Sequence, residues 1–166
     1  MNIDRVDGWL PFNSPLEIGI RSVGVLVPAF PRAYDLQRLV AFDHLIVHTG
    51  DVGGPESLHP KLPMRTAEFL VKRHVVERGL MLMINRGLVD RIVDETGITY
   101  QASEFAETFL LSLSAPYLIA LQERATWVIQ TFGEMNDDEF RDTMDSLFDR
   151  WIEEFQIVYK NLTGKA

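Results

Sequence analysis

Hydrophobic positions recur along most of this chain at the three- and four-residue spacing of helices, and they switch to strand-like runs at one place. After residues 1–13, where Trp9, Leu10 and Phe12 show no period, Ser14-Pro15-Leu16-Glu17 has the form of a helix start. Ser14 suits the N-cap, Pro15 the first helical position, and Glu17 stands where a capping box places its acid. The helix predicted from there to about Ala29 is apolar except for Glu17, Arg21 and Ser22, and Pro28 and Pro31 are expected to stop it. Asp35 is the next cap, ahead of Leu36, Leu39, Val40, Ile46 and Val47 at helical spacing up to His48.

Thr49 to Pro63 then reads as loop, with three Gly and three Pro in fifteen residues. That length is unusual inside a compact domain and points to docking, with Gly53, Gly54, Ser57, Leu58 and His59 as candidate partner contacts. Phe69, Leu70, Val75, Val76, Leu80, Met83 and Ile84 predict helix over Thr66–Arg86, either as one helix or as two broken near Arg73. Gly87 falls at the C′ position. Two β-prone runs, 89–93 and 98–102, flank Asp94-Glu95-Thr96-Gly97 and predict a hairpin. A helix followed at once by such a hairpin is the wing of a winged helix.

Beyond the hairpin Ser103 is read as the cap of a helix to about Leu113. Pro116 restarts another, with Tyr117, Leu118, Leu121, Val128, Ile129 and Phe132 on one face and Gly133 at its end. Asn136-Asp137-Asp138-Glu139 is a second capping box. In the last helix, expected to reach about Asn161, Phe140, Met144, Leu147, Trp151, Phe155, Val158 and Leu162 form a packing seam. The expected fold is mainly α with a small β-hairpin. It divides into an N-terminal arm (1–13), a winged-helix domain (14–102) and a C-terminal segment of antiparallel helices (103–166).

Composition changes the picture in two ways. Cysteine is absent, which removes disulfides, thiol catalysis and Cys-type zinc sites. No run approaches a membrane span, and the start of the chain lacks the basic and apolar regions of a signal peptide, so the expectation is a cytoplasmic protein. Charge is uneven: residues 1–102 carry 11 Lys/Arg against 12 Asp/Glu, and residues 103–166 carry 5 against 12. Such an acidic end repels phosphate and disfavours tight nucleic-acid binding by the chain alone.

Four candidate sites remain. Arg65, Lys72, Arg73, Arg78, Arg86 and Arg91 would be the phosphate and base contacts of a DNA-reading winged helix, against Glu68, Glu77 and Asp90. The alternative is a solvated helix face. His44, His48, Asp51 and His59 have donor types suited to zinc, but the His pair lacks the adjacent Glu of a zinc-protease helix, and hydrogen-bonded histidines are the commoner outcome. The glycines at 50, 53 and 54 lack the Lys-Ser/Thr of a phosphate loop, and Ser57 near His59 lacks a third orienting group. No catalytic, metal or cofactor residue is therefore assigned. The stripe with Trp127, Trp151 and Phe155 either packs within the chain or meets a partner, with Trp151 and Phe155 as candidate contacts.

Residues 13–132 resemble the middle-component-2 proteins of ABC-three-component systems. The blocks NSPLEIGIRSVGVLVPAFPRAYDLQRLVAFDHLIVHTGD, GGPESLHPKLPMR, VKRHVVERGLMLMINRGLV and ITYQASEFAETFL carry the resemblance in order. It implies a non-enzymatic subunit linking an SMC-like or ABC ATPase to an effector, similar to the small subunit of Lamassu anti-phage systems. ATP and Mg²⁺ would sit on the partner ATPase, DNA would be met through the complex, and no cofactor would belong to this chain. The competing expectation is a winged-helix transcription regulator.

Overall fold

The structure, a computed structural model, describes residues 14–60 and 66–148. The expected N-terminal arm, Arg65 and the stretch with Trp151 and Phe155 lie outside the described residues.

Helix α1 spans Pro15–Ala29, and the Ser14 hydroxyl accepts from the Glu17 amide at 3.2 Å. Glu17 does not complete the box as expected; its carboxyl turns inward, to within 3.8 Å of Arg21. Pro28 is tolerated in the last turn, and the helix ends one residue later. Tyr34 then exchanges two backbone hydrogen bonds with Tyr100, a single-residue bridge that periodicity does not reveal. Helix α2, Leu36–Val47, starts at Asp35, whose carboxylate accepts from the Arg38 amide at 2.8 Å.

Helix α3 is continuous over Thr66–Asn85, with no break at Arg73. It closes with a Schellman motif: Leu88 donates to the Met83 carbonyl and Gly87 to that of Ile84, both at 2.9 Å, with Gly87 at φ +73°. Strands β1, Val89–Asp94, and β2, Gly97–Ala102, pair antiparallel, with Val89 opposite Ala102 and Asp94 opposite Gly97. Ser103 is not a helix cap. Its hydroxyl donates to the Gly87 carbonyl at 2.6 Å, tying the end of β2 to the end of α3, and helix α4 covers only Ala106–Leu111.

Helix α5, Pro116–Phe132, stops at Gly133, whose carbonyl accepts from the Tyr34 hydroxyl at 3.0 Å. A Cβ at Gly133 would stand 2.5 Å from the Ile129 carbonyl oxygen. Helix α6, Asp137–Phe148, has the full capping box. Glu139 N donates to Asn136 Oδ1 at 2.8 Å, and Asn136 N donates to Glu139 Oε2 at 3.0 Å. Arg38 fastens α6 to α2: its guanidinium lies 3.9 Å from the Phe140 ring centroid and bonds the Met135 carbonyl. One apolar core runs through Leu26, Phe42, Leu80, Val128 and Met144, drawing on every helix except α4 among these residues, while Ala106 and Leu110 join it from α4. The fold is thus mainly helical with one antiparallel hairpin, as expected.

Candidate functional site

Charge lies deep in the helical core. Helix α1 places Glu17 and Arg21 one turn apart on its inner side, and α2 presents Asp43 opposite them. Arg21 grips the Asp43 carboxylate with two bonds, Nε to Oδ1 at 2.6 Å and Nη2 to Oδ2 at 3.0 Å. Lys72 of α3 adds its ammonium at 3.1 Å from Oδ2. The Arg21 and Asp43 side chains are each 1% exposed. Burial alone would push the Asp43 carboxyl up, yet the two cations hold it well below the usual carboxylate range. Burial lowers the Lys72 ammonium, against the pull of Asp43. The Lys72 head group is thus turned inward and paired with Asp43, away from the exposed Arg78. The cluster joins three helices.

The histidines cluster beside it. His44 and His48 face each other on α2 with ring centroids 4.5 Å apart, and His59 Nε2 is 2.8 Å from the Tyr117 hydroxyl of α5. The Tyr117 hydroxyl also pulls the Glu17 carboxyl down, against the burial that raises it. Among the described residues no group of three His, Asp or Glu stands where it could hold one metal ion. Burial, reinforced by Lys72, holds His44 well below its ordinary value and lowers His48; burial and Arg21 bring His59 to about 4.

A depressed histidine binds fewer protons in the native than in the unfolded chain between its native pKa and about 6.5. Its contribution is therefore complete above that window and is lost as pH falls through it. Glu17, raised by burial, works in the opposite sense, so its contribution is lost as pH rises. Asp35, also raised by burial, acts as Glu17 does, so three groups oppose two. The urea midpoint is expected to be lower at pH 5 than at pH 7.5, and His59→Gln is expected to reduce that difference; a midpoint independent of pH would refute this assignment.

The glycine-rich loop is seated on the chain itself. Thr49–Val52 forms a 3-10 turn; Gly50 N donates to Ser57 Oγ at 2.9 Å, and the Thr49 hydroxyl donates to the Pro55 carbonyl at 2.7 Å. The amides of Leu58 and His59 share the Val47 carbonyl, and Arg124 of α5 donates twice to the Glu56 carbonyl. Gly54 lies under Trp127, where a Cβ would stand 2.5 Å from the indole Cη2. Of the five candidate contacts only Gly53 is fully exposed; Gly54, Ser57, Leu58 and His59 are half-buried. The close approach that glycine permits is thus made to α5.

The remaining cations of α3 and the hairpin are scattered. Arg73 lies 3.9 Å from Glu77, Arg91 stands opposite Tyr100 on the hairpin, and Arg78 and Arg86 are exposed. On the hairpin, Val89, Arg91 and Val93 share a face with Ala102, Tyr100 and Ile98 by register and alternation. That face is buried at its base and exposed at its tip, where the Val93–Ile98 pair stands beside Asp94 and Glu95.

The family model for the ABC-three component (ABC-3C) system Middle Component 2 matches residues 11–154. The chain belongs to this family. No curated protein and no solved structure matches it.

For a middle component, a subunit of a multi-part system, the outward surface matters as much as the interior. Its exposed large apolar residues include Val71 and Met81 on α3, Val93 and Ile98 on the hairpin, and Leu111 on α4. Val71 and Met81 are not among the apolar positions from which that helix is predicted. No described helix is long and apolar enough to cross a membrane.

Proposed function

We propose that this middle component is a non-enzymatic, cytoplasmic adaptor with a winged-helix body. It joins an SMC- or ABC-type ATPase to an effector in a bacterial anti-phage or anti-plasmid defence complex of the Lamassu kind. Membership of the middle-component family carries the reading. The interior cluster supports a structural role for these charges in place of catalysis: Asp43 is saturated by Arg21 and Lys72, and the Arg21–Asp43 pair is withdrawn from solvent. Exposed apolar residues on α3 and the hairpin tip support a protein-binding role, since such side chains gain by being covered. The winged-helix assignment is supported by the element order and by Tyr34, which adds a third strand position beside β2 at Tyr100. ATP and Mg²⁺ belong to the partner ATPase.

Co-expression of the three components, followed by size-exclusion chromatography, is expected to return one complex containing this chain. Migration of this chain alone at micromolar concentration would sink the reading. The same Tyr34 bridge keeps a second reading, a DNA-binding winged-helix regulator. A salt-sensitive, sequence-selective mobility shift by the isolated chain would favour that one.

A further inference from the structure

Helix α3 carries apolar residues on two sides. The inner side carries Val76, Leu80 and Met83, all fully buried. The outer side carries Val71, His74, Arg78, Met81 and Asn85, spaced by 3, 4, 3 and 4 residues; Val71 is 65% and Met81 50% exposed. That repeat is the seam along which one helix takes a second. Val71 and Met81 on this stripe face solvent and not the core of the described residues. Beside it runs a groove of about 440 Å³, reaching from the stripe to Leu82 and to Pro15 at the start of α1.

Charge decides what fits. Glu77 at the groove edge lies close to Arg73, whereas among the described residues no hydrogen bond or ion pair engages Arg78. Between Val71 and Met81 the stripe therefore offers a cation, Arg78, that no described residue engages. Val71 and Met81 are ten residues apart, roughly 15 Å along the axis. A ligand helix of about three turns matches that span.

We propose that this stripe, with the groove beside it, receives an amphipathic helix from another component of the three-component system. Its apolar side lies on Val71 and Met81, and an Asp or Glu meets Arg78. The inference rests on the adaptor reading and gives that adaptor its docking surface. A DNA backbone fits less well: a duplex contact requires several phosphate-facing cations, and along the described part of this stripe Arg78 is the one arginine, with the hairpin tip acidic at Asp94 and Glu95.

The test uses the complex assembled from the full-length chain and the other two components. p-Benzoylphenylalanine replaces Val71 or Met81 in turn, with Leu111 on α4 as the control position. The groove positions are expected to crosslink to one contiguous segment of another component, with apolar residues three and four apart and an acid between them, and the control to a different place or to none. Arg78→Glu is expected to weaken assembly at least about tenfold, as loss of a hydrogen bond to a charged group predicts, with Arg78→Lys close to wild type. Both variants are exposed substitutions whose folding circular dichroism checks.

An intact complex whose groove positions crosslink to nothing, to residues 1–13 of the same chain or to a second copy overturns the groove assignment and leaves the adaptor reading standing. Crosslinking to a basic or non-helical segment does the same. Duplex binding abolished by Arg78→Glu replaces the partner helix with DNA. Failure to form any complex overturns both readings.

Discussion

Asp43→Ala is expected to destabilise this protein by about 3–5 kcal/mol, a large share of the stability of a domain this size. The carboxylate holds two cations at once, buried Arg21 through two hydrogen bonds and half-buried Lys72 through its ammonium. Removing it leaves Arg21, 1% exposed, with Glu17 as its nearest acid at 3.8 Å, and leaves Lys72 without the carboxylate it pairs with. The loss therefore comes from stranded charge more than from a missing attraction. That distinction has a consequence. The triple variant Arg21→Met, Asp43→Leu, Lys72→Met removes the whole cluster and is expected to recover most of the stability lost in the single variant. Urea denaturation of the two variants against wild type measures both effects. A single variant within about 1 kcal/mol of wild type, the scale of a surface ion pair, would mean the cluster is hydrated and weak.

The same cluster shows what the sequence made legible and what it hid. Caps and stops act over four residues or fewer, so Ser14, Asp35, Asn136 and Gly87 could be placed from local rules, and all four take those roles. The hairpin came from the same source. Arg21, Asp43 and Lys72 are 22 and 29 residues apart, and nothing local states that they meet. One hint was available: Arg21 and Asp43 are opposite charges, each set in an otherwise apolar helical run. Lys72 was grouped with Arg73 and Arg78 by sequence proximity, yet consecutive helical residues differ by about 100° in direction. Lys72 turns inward to Asp43, and Arg78 turns out. The loop was legible as loop, but the partner of Gly54 is Trp127, 73 residues later. Only tertiary packing distinguishes a loop seated on its own chain from one waiting for another protein.

Gly79→Val is expected to cost about 3 kcal/mol or more, because α1 and α3 touch there backbone to backbone. A Cβ at Gly79 would stand 2.8 Å from the Gly19 amide nitrogen and 2.8 Å from the Pro15 carbonyl oxygen; one at Gly19 would stand 2.8 Å from the Gly79 carbonyl oxygen. Backbone atoms have no rotamer to yield, so the helices must separate, opening the core around Leu80 and Met83. Helix propensity predicts the reverse, since Gly is about 1 kcal/mol worse than Ala in a helix interior. Gly24 separates the two effects. It lies in α1 as well, but a Cβ there meets only the Ala125 methyl at 3.6 Å, an ordinary contact. Gly24→Ala is expected to stabilise by about 0.5–1 kcal/mol and raise the melting temperature by a few degrees. Thermal unfolding of the two variants should thus move in opposite directions. Should Gly79→Val melt with wild type, the α1–α3 crossing is looser than described. The groove between Pro15 and Met81 would then lose the rigid wall that its proposed ligand requires.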